Sequence, residues 1–539
     1  MAALERELLT AITPHRARHR VRIALLRLVV AAGSGWLLYL SFPPRTWWWL
    51  ALLAFAGLGL ALHGARGRTG LLCGLLFGLV FSLPHLAWLQ DFLGEEFGPW
   101  PWLGLSLVVA AYAGVAGAAM AWVGTLPGGP VWMAGLFVAQ EWLRSTWPLG
   151  GFPWGRVAFG QPDGWYASLA AVGGAPLVTF AVVVTGFLLA WAIVWGWRLW
   201  RGYPRHRRAR AGAACGYAVA ATVPLVAAGL AWPSIATDAT VGTLDVAVVQ
   251  GNAPDAGLDL LGARETIRDN HIAESERLLG RIAEGTESEP ELVVWPETAT
   301  DLATADPTVD DLVTRFDAPA LLGAMYFGGQ DLRQNTVIEW SPETGPGQRY
   351  AKQELVPFSE YIPLRPIAGW FTPFLDHMVD MTPGTGPAVL DGGDVRAGVA
   401  ICYEAAYDGI LGKAAADGVD LLVVPTNNAW FGRGEMSHQH LAMSRLRAIE
   451  HGRATVVAAT SGISAIVDPD GSVRRQTGLF TAESFVETVP LRDEQPLATA
   501  AGPWPERTLA GAGVLALLLA VGLRIRDRSR RRARGVTGE

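Results

Sequence analysis

Two rhythms of apolar and polar residues divide this chain. From about residue 22 to residue 232 the apolar residues run in long blocks instead of alternating with polar ones. Several blocks approach the ~20 residues that an α-helix needs to cross a hydrocarbon core of ~30 Å. They predict seven membrane spans, near 22–41, 46–63, 69–90, 102–123, 129–144, 174–198 and 211–232, the fifth weakened by Gln140 and Glu141 inside it. One last apolar block, 506–524, predicts a closing span ahead of a basic tail at 525–539. Between them, over 243–493, short β-rich runs alternate with stretches at helical spacing. "LDVAVVQGN", "PELVVWPET", "ALLGAMYF", "QNTVIEW", "DVRAGVAICYE", "DLLVVPTNN", "ATVVAATSGISAIVDPDG" and "SFVETVPL" predict strands. "ARETIRDNHIAESERLLGRIAEG" predicts a helix that ends in glycine. Strand-rich halves with helices between them predict an α/β layered domain with a mostly buried sheet. The expected organisation is a multi-span α-helical membrane domain over 1–236, followed by this α/β domain and the closing helix.

Composition agrees. The 539 residues are 51% hydrophobic and only 17% charged, with 23 Trp, and the mean hydropathy is +0.26. That is too apolar for an ordinary soluble protein. A cleaved signal peptide is a poor reading of the basic N-terminus, because its apolar block is long, lacks a small-residue cleavage site and is followed by further spans. Arginine decides the expected orientation. "RARHRVR", "HGARGR", "RLWRGYPRHRRAR" and "RIRDRSRRRARG" fall on one side if there are eight spans, which makes that side and both termini cytoplasmic. The acidic turn "DFLGEEFG" and the α/β domain then lie on the other face. These arginines read as topology signals and not as a nucleic-acid site. Gly70, Gly74 and Gly78, four residues apart, predict close approach of another helix. Cys73 and Cys215 fall inside spans and read as small apolar residues.

Candidate chemistry lies in the α/β domain. It contains no Gly-rich phosphate loop, dinucleotide fingerprint or zinc-like Cys/His spacing, so neither a metal nor an organic cofactor is expected. His438 and His440 read as the polar first turn of a helix in preference to a metal pair. Glu297 closes a strand in "LVVWPET", Lys352 sits in "RYAKQELVPFSEYIP", and Cys402 closes "AGVAICYE". Open α/β folds place chemistry in the crevice beyond their strand ends. A strand-end cysteine is commonly a core residue, yet a lone thiol outside the cytoplasm is a liability unless it is used. On the residues alone, core thiol and nucleophile both remain open.

"WPET", "YAKQELVPFSEYIP" and "ICYE" resemble, in chain order, the three signature segments of the nitrilase (carbon–nitrogen hydrolase) superfamily. "VQGN", "LVPFSEYIP", "TNNAWFG" and "GGFPWGRVAFGQPDGW" further resemble its membrane-bound branch, the apolipoprotein N-acyltransferases, as does the order of helices, domain and closing helix. The resemblance implies an α-β-β-α sandwich with a Glu-Lys-Cys triad of Glu297, Lys352 and Cys402. Glu360 matches a supporting carboxylate, and Tyr403 and Glu404 match the pair beside the nucleophile. The implied reaction moves an acyl chain from a phospholipid, through a thioester on Cys402, to the α-amine of a diacylglyceryl-cysteine at an apolipoprotein's N-terminus. The implied setting is the bacterial cytoplasmic membrane, and a monomer is expected. One departure stands out, since "QGNAPDAGLDLL" lacks the aromatic residue that many members carry just after this turn.

For such chemistry Glu297 is expected to be the base, its pKa raised by burial, and Lys352 to stabilise the oxyanion. Trp370, Phe371, Phe374, Leu375 and Met378 read as an apolar arm that dips into the interface and shelters the acyl chain. The rival readings are a membrane-tethered amidase of small C–N substrates and a non-catalytic transporter or scaffold. Seven preceding spans argue against the first, and the scarcity of charge in the spans argues against the second.

Overall fold

The computed structural model describes residues 2–201, 207–253, 264–302, 306–328, 332–365 and 379–536. Its first half is helical: α1 (Ala2–Leu40), α2 (Leu50–Leu62), α3 (Gly67–His85), α4 (Trp88–Phe97), α5 (Trp100–Val123), α6 (Gly129–Thr146), α7 (Ala170–Trp200) and α8 (Arg207–Ala231). Six helices among the described residues are long and apolar enough to cross a membrane: Val21–Leu40, Gly67–His85, Trp100–Val123, Trp165–Trp200, Arg207–Ser234 and Trp504–Asp527. Two predicted spans are not among them. The second is a 13-residue helix, Leu50–Leu62, only ~20 Å long at 1.5 Å per residue. The fifth, Gly129–Thr146, carries Glu141 and Arg144 in its last two turns.

The third predicted span also differs, because its helix stops at His85. The expected acidic turn is instead helix α4, Trp88–Phe97, in which Trp88, Leu89, Phe92 and Leu93 recur at helical spacing. Phe92 packs edge-on to Trp430 of the α/β domain, with ring centroids 5.8 Å apart. The glycine spacing on α3 does what was expected of it. A Cβ built at Gly74 would stand 2.1 Å from the Ala113 carbonyl oxygen of α5, so only glycine lets these helices touch. Of the other thiols, Cys73 is buried on α3 and Cys215 is exposed on α8.

The second half contains β1 (Gly242–Gln250), α9 (Arg264–Ala283), β2 (Leu292–Val294), β3 (Thr300–Leu302), α10 (Pro307–Phe316), β4 (Ala320–Gly328), β5 (Leu332–Ser341) and β6 (Gly345–Ala351). After these come β7 (Val389–Gly392), β8 (Val395–Val399), α11 (Asp408–Ala416), β9 (Leu421–Thr426), α12 (Met436–His451) and β10 (Thr455–Ala459). β11 (Ala465–Val467), β12 (Val473–Gln476), β13 (Glu483–Leu491), α13 (Leu497–Ala501) and α14 (Trp504–Val536) complete the chain. One sheet has the order β13-β1-β2-β4-β5-β6, with β3 also paired to β4, and the other β12-β11-β10-β9-β8-β7. The central strands β1-β2-β4 and β8-β9-β10 are parallel, and their flanking pairs antiparallel.

Side chains of alternate residues explain the layering. Val246, Val248, Val294 and Leu321 of the first sheet meet Val399, Leu421, Val423 and Val456 of the second in one core. Ala247, Val249, Trp295 and Leu322 point the other way, against Leu278 of α9 and Val309, Leu312 and Phe316 of α10. Helices α11 and α12 cover the second sheet against β8 and β10. The result is the α-β-β-α sandwich that the resemblance implied.

Candidate active site

Most of the site is carried at strand ends. Glu297 follows β2, Lys352 follows β6, Cys402 follows β8 and Asn427 follows β9, while Asn335 lies within β5. Strands β2, β8 and β9 are parallel strands of their sheets, so their carboxyl ends open on one crevice.

Lys352 Nζ lies 3.1 Å from Glu297 Oε1 and 2.9 Å from Glu360 Oε1. Asn335 Nδ2 donates to the same two oxygens at 2.6 and 2.9 Å. One ammonium and one amide thus hold together two carboxylates that would otherwise repel. Their outer oxygens are also occupied. The Asn427 N–H donates to Glu297 Oε2 at 2.7 Å, and the Val356 N–H to Glu360 Oε2 at 2.8 Å. Lys352 is only 2% exposed. An ammonium buried that deeply costs several kcal/mol unless it is paired, and here two carboxylates pair it.

Burial alone would push the Glu297 carboxyl up. The Lys352 charge and the N–H groups of Asn335 and Asn427 outweigh it and hold the group below its ordinary value. The sequence-based expectation of a raised Glu297 is therefore wrong, because burial arrives together with three donors. Burial also works against the Lys352 charge, but Glu297 and Glu360 prevail and keep its pKa well above the ordinary value. Cys402 moves in the opposite sense to Glu297. Burial first, then the Glu297 charge, push its thiol up to about 12, opposed only in part by Lys352 and a hydrogen bond with Thr426. The cluster at neutral pH is carboxylate, ammonium and neutral thiol.

Cys402 adopts φ +52°, a left-handed conformation in a residue other than glycine. Such strain costs ~1–3 kcal/mol and persists only where the surroundings impose it. Glu404 imposes much of it. Its carboxylate accepts from the backbone N–H groups of Ile401 at 2.7 Å, Gln353 at 2.7 Å and Glu354 at 3.1 Å, and from the Tyr350 hydroxyl at 2.9 Å. The turn bearing Cys402 is thereby tied to the segment just after Lys352. His440 Nε2 donates to the Cys402 carbonyl oxygen at 2.8 Å, since a carbonyl can only accept. Tyr403 stacks on Phe152 and Trp154 from the helical half, with ring centroids 6.2 Å away in each case.

Of the residues singled out from sequence, Glu297, Lys352, Glu360 and Cys402 converge, Glu404 braces the turn, and Tyr403 faces the membrane helices. The proposed arm residues Trp370, Phe371, Phe374, Leu375 and Met378 lie outside the described residues, as does most of the stretch after the "QGN" turn, 254–263. Asn335, Thr426 and Asn427 were not singled out. The available signal for Asn335 was a polar residue inside the otherwise strand-like run "QNTVIEW".

A carboxylate beside a thiol can accept its proton, and an ammonium in the same pocket can stabilise an oxyanion. Comparison with known proteins identifies the family. The apolipoprotein N-acyltransferase N-terminal domain matches residues 34–188, and the carbon–nitrogen hydrolase family matches residues 246–498. The apolipoprotein N-acyltransferase of Mycolicibacterium smegmatis is 38% identical over 92% of this chain and 85% of its own length. That of Pseudomonas putida is 30% identical over 87% of this chain and 92% of its own. A solved nitrilase-superfamily protein from Saccharomyces cerevisiae superposes at a TM-score of 0.34, with 17% identity, on 48% of this chain and 93% of that one. With both halves matched in the same order and identity sustained along nearly the whole length, this chain belongs to the apolipoprotein N-acyltransferase family, within the carbon–nitrogen hydrolase superfamily.

Proposed function

We propose that this protein transfers a fatty acyl chain from a phospholipid to the α-amino group of S-diacylglyceryl-cysteine at the N-terminus of an apolipoprotein. The observation that carries the chemistry is the buried Cys402 thiol in one crevice with Lys352 and the two carboxylates it bridges, Glu297 and Glu360. A free thiolate would be scarce there, so its proton leaves as the sulfur attacks. Sγ adds to the ester carbonyl of the phospholipid while Glu297 takes the thiol proton. Lys352 Nζ and the Tyr403 N–H stabilise the oxyanion, a kind of contribution worth ~3 kcal/mol per donor. Collapse expels the lysophospholipid alkoxide, which receives the proton from Glu297 and leaves an acyl thioester. The acceptor amine then attacks that thioester, Glu297 takes the amine proton, and the thiol is restored. Glu360 and Asn335 hold Lys352 and Glu297 in register throughout.

The site's surroundings suit lipid substrates. Tyr361 donates to the Leu149 carbonyl at 3.3 Å, joining the catalytic loops to the helical half. Trp147, Leu149, Phe358 and Leu364 are exposed apolar side chains on that same rim. The arginine distribution supports cytoplasmic termini and an α/β domain on the outer face of the membrane.

Incubation with labelled phospholipid alone tests the scheme, because a ping-pong enzyme forms its covalent intermediate without the second substrate. Label should appear on Cys402 as a thioester that neutral hydroxylamine releases, with one lysophospholipid per modified chain. A diacylglyceryl peptide with a free α-amine should discharge it, and its N-acetylated form should not. Acyl transfer by Cys402→Ala, or label on Cys73 or Cys215, would overturn the proposal.

A further inference from the structure

The most extensive buried charge cluster outside the catalytic one lies where the helical half meets the turn bearing Cys402. Arg156, in the segment between α6 and α7, is only 1% exposed. It donates to Asp408 Oδ2 at 2.7 Å and to Glu506 Oε1 of α14 at 2.9 Å. Glu141 of α6 aims this segment by accepting from the Val157 N–H at 2.9 Å and from the Thr179 hydroxyl at 2.9 Å. On the catalytic side, Asp408 Oδ1 accepts from Arg447 Nη2 of α12 at 2.8 Å. Arg447 in turn donates to the carbonyl oxygens of Ala405 at 2.9 Å and Ala406 at 3.0 Å, and pairs with Glu450. Those two carbonyls end the short turn Cys402–Ala406. The helix α7 breaks at Gly174, φ +68°, where a Cβ would stand 2.4 Å from Glu450 Oε1. The helical half is thus shaped around this cluster.

Stability alone does not explain it. Replacing a buried ion network by apolar groups is often neutral or stabilising, so retaining one points to a demand for a particular geometry. Here that geometry ends on a strained turn, with Asp408 clasped between the guanidinium groups of Arg156 and Arg447. We propose that Arg156 is a positioning residue for acyl transfer, which acts through Asp408 and Arg447 to fix the Cys402 turn only while the catalytic domain is seated on its membrane helices. The inference rests on Cys402 being the nucleophile. It assigns the helices a part in aligning the thiol, beyond anchoring the domain or presenting lipid.

The test uses full-length, detergent-purified protein lacking Cys73 and Cys215, with p-nitrophenyl butyrate as a soluble ester that needs no lipid binding. The amplitude of the p-nitrophenol burst counts competent sites, and its rate constant reports alignment. Arg156→Gln should lower that rate constant ~100-fold, the scale of a misplacement of about 1 Å. Amplitude should stay near one per chain, transfer from phospholipid should fall by the same factor, and the KM for phospholipid should hardly move. Arg156→Lys, which keeps the charge but not the forked reach, should recover about tenfold of the loss. If Arg156→Gln proves too unstable to purify, Glu506→Gln offers the same readout with a milder loss. A reduced amplitude at an unchanged rate constant would mean a purely structural role and overturn the inference. So would a loss confined to phospholipid transfer, or no loss at all. A burst that persists in Cys402→Ala would instead remove the nucleophile assignment on which the inference rests.

Discussion

Asn335→Leu removes a side chain that touches both carboxylates of the candidate site. Leucine keeps the forked outline of asparagine without its hydrogen-bonding atoms, and its added volume is the one packing change this variant makes. Only the two N–H bonds are lost, because Asn335 Oδ1 has no hydrogen-bond partner among the described residues. Those bonds run to Glu297 Oε1 at 2.6 Å and Glu360 Oε1 at 2.9 Å. A hydrogen bond to a charged group contributes ~1.5–3 kcal/mol. Both oxygens keep Lys352 as a donor, so the low end applies, which gives ~3 kcal/mol for the pair. A donor lost from a ground-state carboxylate does not itself slow proton uptake. The cost reaches the transition state through the Lys352–Glu297–Glu360 geometry these bonds fix, and if all of it does, acylation slows ~100-fold. Single-turnover formation of the acyl-enzyme from labelled phospholipid measures this without interference from product release. The pH profile supplies an independent sign. Glu297 works as a base only when ionised, so the rate falls as pH drops through its pKa, which Lys352 and the N–H donors hold below the ordinary value. Removing one donor must move that acidic limb to higher pH. An acylation rate within about threefold of the unmodified protein, or a limb that stays put or moves down, would refute the reasoning.

Glu360→Gln should lose at least ~100-fold in rate while the protein stays folded in the membrane, measured as transfer to a diacylglyceryl peptide. Near-normal turnover would make Glu360 a structural residue. Alkylation of Cys402 by iodoacetamide should still rise about tenfold per pH unit between pH 9 and 10, since burial and Glu297 push this thiol up to about 12. A plateau near pH 9 would mean an ordinary thiol. A reporter active only outside the cytoplasm should work when fused within 243–493 and stay silent near Arg208 or after Arg534. The reverse at any of these points would contradict the proposed orientation.

The strands that carry Glu297 and Cys402 were legible because each is a continuous apolar run with a polar residue at its end. "LVVWPET" and "AGVAICYE" announce both the strand and the group it presents. β6, which delivers Lys352, was not legible as a strand. "GPGQRYA" lacks apolar alternation and leaves several side chains exposed, and what makes it a strand is its pairing with β5. Helix α4 was misread as a turn because its acidic residues drew attention away from apolar positions at helical spacing. The fate of Glu297 was misjudged for a similar reason. Burial can be guessed from a strand's composition, but the donors that reverse its effect come from β5 and from the end of β9, 38 and 130 residues away. The cluster at Arg156 lay furthest from view, because its partners Asp408 and Glu506 are 252 and 350 residues along the chain. Glu141 looked anomalous inside an apolar block, and nothing in its neighbourhood says that it aims an arginine at another domain.

The opposed ionisation of Glu297 and Cys402 also bears on how a free thiol could persist on the proposed outer face of the membrane. The thiolate, not the thiol, reacts with oxidants and disulfides. A nucleophile activated in advance by a lowered pKa would be lost there between turnovers. Cys402 is 7% exposed, and its proton is held by burial and by the negative charge of Glu297. Its proton can leave easily only when a carbonyl carbon is in place to accept the sulfur electrons and Lys352 is in place to accept the charge. On the proposed mechanism the arrangement trades readiness for protection, and alignment of the turn, not thiolate supply, limits acylation. That is why a strained φ at Cys402 is held from three directions, by Glu404, His440 and Arg447, the last of them continuous through Asp408 and Arg156 with the helices on which the catalytic domain sits.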